Sequence, residues 1–297
     1  MTSTIALRIP LLVAWAVLAA PVAHADVITE WDKVACDAVA AAKIGTPISV
    51  RAIAVAQTAT YEAVNEITGR YAAPGRAKAS NASVDAAVAA ANRATLTQLV
   101  PAQKDFIEAA YEKAVGGIQD SEAKTAGIAI GERAAADVLA RRSDDGSGTP
   151  EAYRPATKPG VYVPTTIPAI PQWPQRKPWV LASASQFRPA PPPALDSALW
   201  ARDFNEVKSL GGKSNSRRTP EQTQIAAFWE TTLPPVYNGL VLSIAEAPGR
   251  EATQNARLFA AVAQAADDAL LAVFDAKYNY NFWRPVTAIR NGDLDGN

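Results

Sequence analysis

At 297 residues the chain can fold as one large domain or two, with room for a substantial buried core. Its 29 basic and 29 acidic residues cancel, so no excess charge points to nucleic acid. A single cysteine excludes an internal disulfide, and one Cys with one His leaves too few ligands for a Cys/His zinc site.

Residues 1–25 have the form of a secretory leader. Arg8 is a short positive flank, an apolar run follows, and Ala23-His24-Ala25 supplies the small residues of a cleavage site after Ala25. The run is short for a membrane anchor and is interrupted at Pro10 and Pro21, so the expected location is secreted or periplasmic. No later segment is continuously apolar for a stable membrane span. Removing the leader takes the only His and the only Met with it and leaves 28 basic and 29 acidic residues. A mature chain without histidine cannot build a His-dependent hydrolase triad or ligate haem through imidazole. Cys36 then has no histidine to activate it and reads as a small buried side chain.

From Val27 to about Arg142 the pattern is helical. Trp31, Val34, Ala38 and Ala41 recur on one face, with Gly45 as the stop. A second helix is expected from Arg51, with Ile53, Ala56, Thr60, Val64 and Ile67 at helical spacing and Gly69 ending it. Glu62 and Asn65 lie one turn apart and read as residues bonding across helices or to solvent rather than lining a pocket. After a turn at Pro74-Gly75, Ser83 caps an Ala-rich helix, Pro101 opens another, and Ser121 begins a third. Gly127 and Gly131 in that last helix, four apart, predict close helix–helix approach.

Residues 143–194 hold twelve of the 22 prolines and cannot be regular helix. Tyr162, Trp173, Trp179, Leu181 and Phe187 are apolar anchors that a free linker rarely carries, so an ordered extended wrap is expected. Trp173 and Trp179 read as packing residues first and pocket-entrance residues second. Helices resume at Asp196, with Leu199, Trp200, Phe204, Val207 and Leu210 as the apolar face. Thr219-Pro220-Glu221-Gln222 has the form of a capping box with proline at the first helical position. A short helix spans Tyr237–Ala245, and a long one runs from about Glu251 to Phe282. The closing NGDLDGN reads as a polar turn and is incomplete as a calcium loop.

The stretch Asp267–Pro285, DDALLAVFDAKYNYNFWRP, places Lys277 and Arg284 seven residues apart. On a continuous helix that spacing stacks both cations on one face, roughly 10 Å apart along the axis. Two cations brought together in an apolar helical protein require an anion. An oxyanion such as phosphate or vanadate suits them, guanidinium gripping two oxygens and ammonium adding a point charge. The competing reading is a surface Lys and an Arg paired with a carboxylate such as Asp275.

Lys277-x6-Arg284-Pro285 resembles the first of three motifs of the vanadium-dependent haloperoxidases and type 2 phosphatidic acid phosphatases. The surrounding residues, together with Gln172–Leu195, ARDFNEVKSLG and RTPEQTQIAAFWE, are similar to the secreted bacterial haloperoxidase-like branch nearly residue for residue. The resemblance implies an all-α helical bundle with a Pro-rich wrap, truncated at the C-terminus. It divides the chain into a signal peptide (1–25), an N-terminal helical part (26–142), the wrap (143–194) and the start of the core (195–297), one incomplete domain overall. It implies that Lys277 and Arg284 bind equatorial oxygens of vanadate or phosphate, with Trp283 lining the pocket. Vanadate is the cofactor expected of the complete family, and this chain by itself is expected not to bind it tightly.

The family's other two motifs, Pro-Ser-Gly-His and Ser-Arg-x3-Gly-x-His, are absent from these residues. The expectation is therefore the N-terminal part of a peroxide-dependent halide-oxidising protein, without activity of its own. The alternatives are an acid phosphatase of the same superfamily and a non-catalytic helical protein that binds an anion or a partner. Apolar surface left exposed on the final helix would favour oligomerisation.

Overall fold

The computed structural model describes residues 26–72, 78–79, 81–214, 216–230 and 235–296. The leader and the Pro74-Gly75 turn lie outside them. The described residues form ten α-helices and no strand, with one isolated antiparallel bridge between Val161 and Phe282. The expected all-α class holds. No described helix is long and apolar enough to cross a membrane.

Helix α1 (Val27–Ala42) starts at an Asp26 cap and ends on Lys43 in the left-handed conformation, before Gly45 is reached. Its inward face is Ile28, Trp31, Ala35, Ala38 and Val39. Val34 is only half-buried and Ala41 is exposed, because the helix turns a slightly different stripe inward than the spacing predicted. Helix α2 (Thr46–Thr68) begins five residues earlier than expected, since Pro47 fits the first turn, where no amide is needed. It is the central helix, packed against α3 (Val84–Leu99), α5 (Glu122–Arg142) and α9 (Ala252–Tyr280). A helix buried on several sides must satisfy its own polar groups. Thr58, Thr60 and Thr68 do so by donating to the carbonyls four residues back, at 2.6, 2.9 and 3.0 Å.

The α3–α5 contact is close because of two glycines. A Cβ on Gly127 would stand 2.4 Å from the Ser83 carbonyl oxygen, and one on Gly131 would stand 2.2 Å from that of Ala87. The Ser83 and Ser121 hydroxyls cap α3 and α5 as predicted, accepting from the amides of Ala86 and Lys124. Helix α4 (Lys104–Gly116) follows the short 3-10 turn at Pro101.

Residues 143–194 pack against the bundle through charges on α9. The sequence DDALLAVFDAK puts Asp267, Asp268 and Asp275 on the buried side of that helix, next to Leu271 and Phe274. Buried carboxylates need partners, and the wrap supplies them. Arg176 grips Asp267, and the amides of Trp179, Val180 and Leu181 donate to Asp268 at 2.7, 2.8 and 3.0 Å. Arg188 takes Asp275 through two bonds at 2.7 and 2.8 Å. Trp173 is buried against Leu271 and Phe274, whereas Phe187, expected as an anchor, is 69% exposed.

Helix α6 (Ala198–Leu210) buries only Trp200 among its residues; Leu199 and Val207 of the expected apolar face are exposed. In α7 (Pro220–Glu230) the capping box forms, Thr219 and Gln222 each accepting from the other's amide. Helices α7 and α8 (Pro235–Ala245) carry exposed Phe228, Trp229 and Leu240. The apolar surface expected on the final helix therefore lies mainly on these two, while α9 turns its apolar stripe inward and exposes Val273.

Candidate functional site

The long helix α9 stops at Tyr280, where Asn281 takes the left-handed conformation with φ 47° and ψ 41°. Arg284 is thus not on that helix; it is the extended residue that caps α10 (Pro285–Arg290). The two cations do not stack along one helical face, contrary to the expectation from their spacing. They converge by a different route. Lys277 Nζ lies 5.9 Å and Arg284 Cζ lies 5.5 Å from the centre of the same ring, that of Tyr162 in the wrap.

Lys277 also faces the rings of Tyr278 and Phe274, at 5.0 and 5.1 Å from its ammonium. Burial, followed by the charge of Arg284, lowers its pKa below the ordinary lysine value. Burial lifts the Tyr278 phenol to about 12, with Tyr162 and Tyr153 adding to the effect, so the ring beside Lys277 stays neutral. Among the described residues neither cation reaches a carboxylate. Asp275, the carboxylate closest in sequence to Lys277, is occupied by Arg188.

This arrangement fits an oxyanion in charge and in donor type: a half-buried ammonium and an exposed guanidinium with no internal counter-ion among the described residues. Among the described residues there is no group of three or more His, Cys, Asp or Glu that could hold a metal ion directly. The described residues also contain no histidine, so they offer the anion charge and hydrogen bonds but no imidazole.

Trp283 is buried, stacked on Trp200 with ring centres 5.9 Å apart. It lines an apolar cleft of about 190 Å³ with Trp200, Phe204, Phe282 and Ile289, whose walls include neither Lys277 nor Arg284. Glu62 pairs with Arg141 of α5, and Asn65 exchanges bonds with the backbone of Tyr71. Trp173 packs in the core, while Trp179 donates to Asp267 and lies under the Arg142 guanidinium, 3.5 Å from the ring centre. Cys36 is buried and touches Asn238, and burial pushes its thiol far above the usual range. The NGDLDGN turn anchors Trp200, whose indole donates to Asp295 at 3.0 Å.

The tyrosine shared by the two cations was not legible as a site residue. The usable signal was indirect: three aspartates on an apolar helix require hydrogen-bond donors, and the wrap supplies Arg176, Arg188 and backbone amides. That pairing brings the wrap, and its tyrosines, alongside Lys277.

The model of one protein family, described as the second helical-bundle domain of VCPO, matches residues 257–294, a stretch that contains both cations. No curated protein matches the chain at a significant level. Among solved structures, a bacterial vanadium-dependent iodoperoxidase superposes with a TM-score of 0.76 at 21% identity, covering 92% of this chain and 74% of its own. A bacterial vanadium-dependent chloroperoxidase superposes in its apo form with a TM-score of 0.63 at 18% identity, and in its holo form with 0.63 at 17%. Each covers 84% of this chain, and the chain spans 66% and 65% of their lengths. Residues 257–294 are thus similar in sequence to the second helical-bundle domain of VCPO, and most of the chain shares the fold of these bacterial vanadium-dependent haloperoxidases.

Proposed function

We propose that this chain is the oxyanion-binding part of a vanadium-dependent haloperoxidase-like protein, in which Lys277 and Arg284 hold vanadate or phosphate. The observation that carries the reading is the convergence of the two cations on Tyr162 with no carboxylate partner among the described residues. Lys277 would contribute a point charge and Arg284 a planar pair of donors, which together suit the oxygens of a tetrahedral or trigonal-bipyramidal anion. When bound, vanadate supplies the Lewis acidity that activates peroxide towards halide. What these residues do is attract the anion, orient it and stabilise its charge.

The only histidine in the sequence is His24, in the leader-like stretch. The polypeptide by itself is therefore read as binding the anion without turning it over, since no imidazole is at hand for acid–base or nucleophilic work. The acid phosphatase alternative needs the same missing group, because phosphoryl transfer would require a nucleophile that the two cations cannot be. Export rests on the form of residues 1–25, and N-terminal sequencing of protein from the extracellular or periplasmic fraction tests it. Exposed Phe228, Trp229 and Leu240 support self-association, which light scattering reads directly.

Isothermal titration with phosphate and with vanadate tests the central reading. Binding that falls at least tenfold in both Lys277→Met and Arg284→Ala agrees with it. Binding that survives both substitutions places the anion elsewhere, and halide oxidation by the purified chain would refute the absence of turnover.

A further inference from the structure

We propose that the hydrogen bond between Tyr153 and Asn281 is a latch that sets the spacing of Lys277 and Arg284, making Tyr153 and Asn281 positioning residues for the oxyanion site. The inference rests on the oxyanion reading above and concerns what builds that site. Because α9 ends at Tyr280, no helical ladder links the two cations. The place of Arg284 depends on the path of residues 281–283, which is held from outside.

The holder is the wrap. The Tyr162 amide donates to the Asn281 carbonyl at 2.7 Å, and the Trp283 amide donates to the Gly160 carbonyl at 3.0 Å. These two bonds flank the isolated bridge between Val161 and Phe282. Gly160 turns the wrap into this pairing with φ 76°, a region where a side chain would be strained. Across the pairing, the Tyr153 hydroxyl donates to Asn281 Oδ1 at 2.9 Å, with the Tyr162 carbonyl within reach at 3.3 Å. Asn281 thus does two things with one residue. Its backbone adopts the left-handed conformation that asparagine tolerates better than most residues, and its side chain ties that turn to the wrap.

The same wrap segment presents the Tyr162 ring that both cations face. Docking of the wrap and assembly of the site are therefore one event: when residues 160–162 pair with 281–283, the ring arrives and the spacing is set together. A side-chain bond that closes this junction acts on the anion through Arg284, without touching it.

The test uses the full chain, inorganic phosphate as the probe, and the variants Tyr153→Phe, Asn281→Gly and their combination. Phenylalanine keeps the ring, and glycine keeps the left-handed turn, so each removes the bond while leaving the backbone able to fold. Each single variant is expected to weaken phosphate binding roughly fivefold, the worth of one hydrogen bond. The double variant is expected to be no weaker than either single one, since both remove the same contact. A second readout is the Lys277 titration followed by NMR, which shifts upward in every variant as Arg284 is freed to move away. Wild-type binding with unchanged affinity and unchanged Lys277 titration in the variants overturns the latch. A wild-type chain that binds no phosphate overturns the oxyanion reading instead, and the Lys277 titration still decides whether the latch positions Arg284.

Discussion

Arg176 reaches Asp267 with two nitrogens, Nη1 to Oδ1 at 2.7 Å and Nη2 to Oδ2 at 2.9 Å, and both side chains are fully buried. Arg176 also bonds Asp145 at 3.1 Å, and Arg51 closes on the same carboxylate at 2.9 Å. Burial alone would raise the Asp145 carboxyl, but Arg51 and Arg176 outweigh it and hold its pKa down at about 2. This network ties the wrap to α2 and α9 at once.

Breaking the pair from one side leaves a buried charge uncompensated. Asp267→Asn is expected to cost about 3–5 kcal/mol of stability, whereas the double change Arg176→Met with Asp267→Leu should cost clearly less. Urea unfolding of the three proteins measures both. Equal losses in the single and double variants would mean that the pair, rather than the orphaned charge, is what stabilises the wrap.

A second prediction concerns Asp32, which is buried beneath α8. Burial lifts its carboxyl from 3.8 to about 7, opposed by donors from Gln57 at 2.8 Å and Asn238 at 2.9 Å. The folded chain holds this proton more tightly than the unfolded one. Its contribution to stability is thus complete below about pH 4 and declines as pH rises through 7, by a total on the order of 4 kcal/mol. Asp32→Asn should remove that slope from a denaturation series between pH 4 and 8. A variant whose slope matches wild type would show that Asp32 is ionised throughout the range.

Gly131→Ala offers a steric test of the α3–α5 contact. The added Cβ would meet the Ala87 carbonyl oxygen at 2.2 Å and the Ala91 amide nitrogen at 2.9 Å, backbone atoms that cannot step aside singly. Alanine gains up to about 1 kcal/mol in helix propensity, and overpacking costs about 1–3 kcal/mol or more, so a net loss is expected. Gly116→Ala, with nothing within 4 Å of the new atom, should be neutral or slightly stabilising. Thermal melts of the two variants side by side separate propensity from packing.

Phosphate affinity should itself depend on pH through Lys277. Its pKa is lowered by burial and then by Arg284, so the ammonium loses its proton below the ordinary 10.5. Affinity is expected to fall as pH rises through that lowered value, because one of two attracting charges disappears. Lys277→Met should bind weakly at every pH and show no such step. Titration calorimetry across pH 7.5–10.5 gives the profile, and a step retained in the variant would assign it to another group.

Much of the helical scaffold was legible residue by residue. Ser83, Ser121 and the Thr219–Gln222 box mark helix starts because capping is a bond over two or three residues. Gly69 marks a stop because only a residue tolerant of positive φ fits there easily, and Gly127 and Gly131 announce a close approach by their lack of side chains. Lys277 and Arg284 stood out as candidates from their spacing and the residues around them.

Their meeting was not. Asn281 ends α9 three residues before Arg284, in a left-handed turn that helical periodicity does not encode. Whether Lys277 and Arg284 converge then depends on Tyr162, more than a hundred residues earlier, and on the arginine–aspartate pairs that dock the wrap. Caps and turns obey forces acting within a few residues and can be read along a line. The gap between two charges on separate elements is set by packing across the whole bundle, where burial makes Asp267, Asp268 and Asp275 demand partners from the wrap.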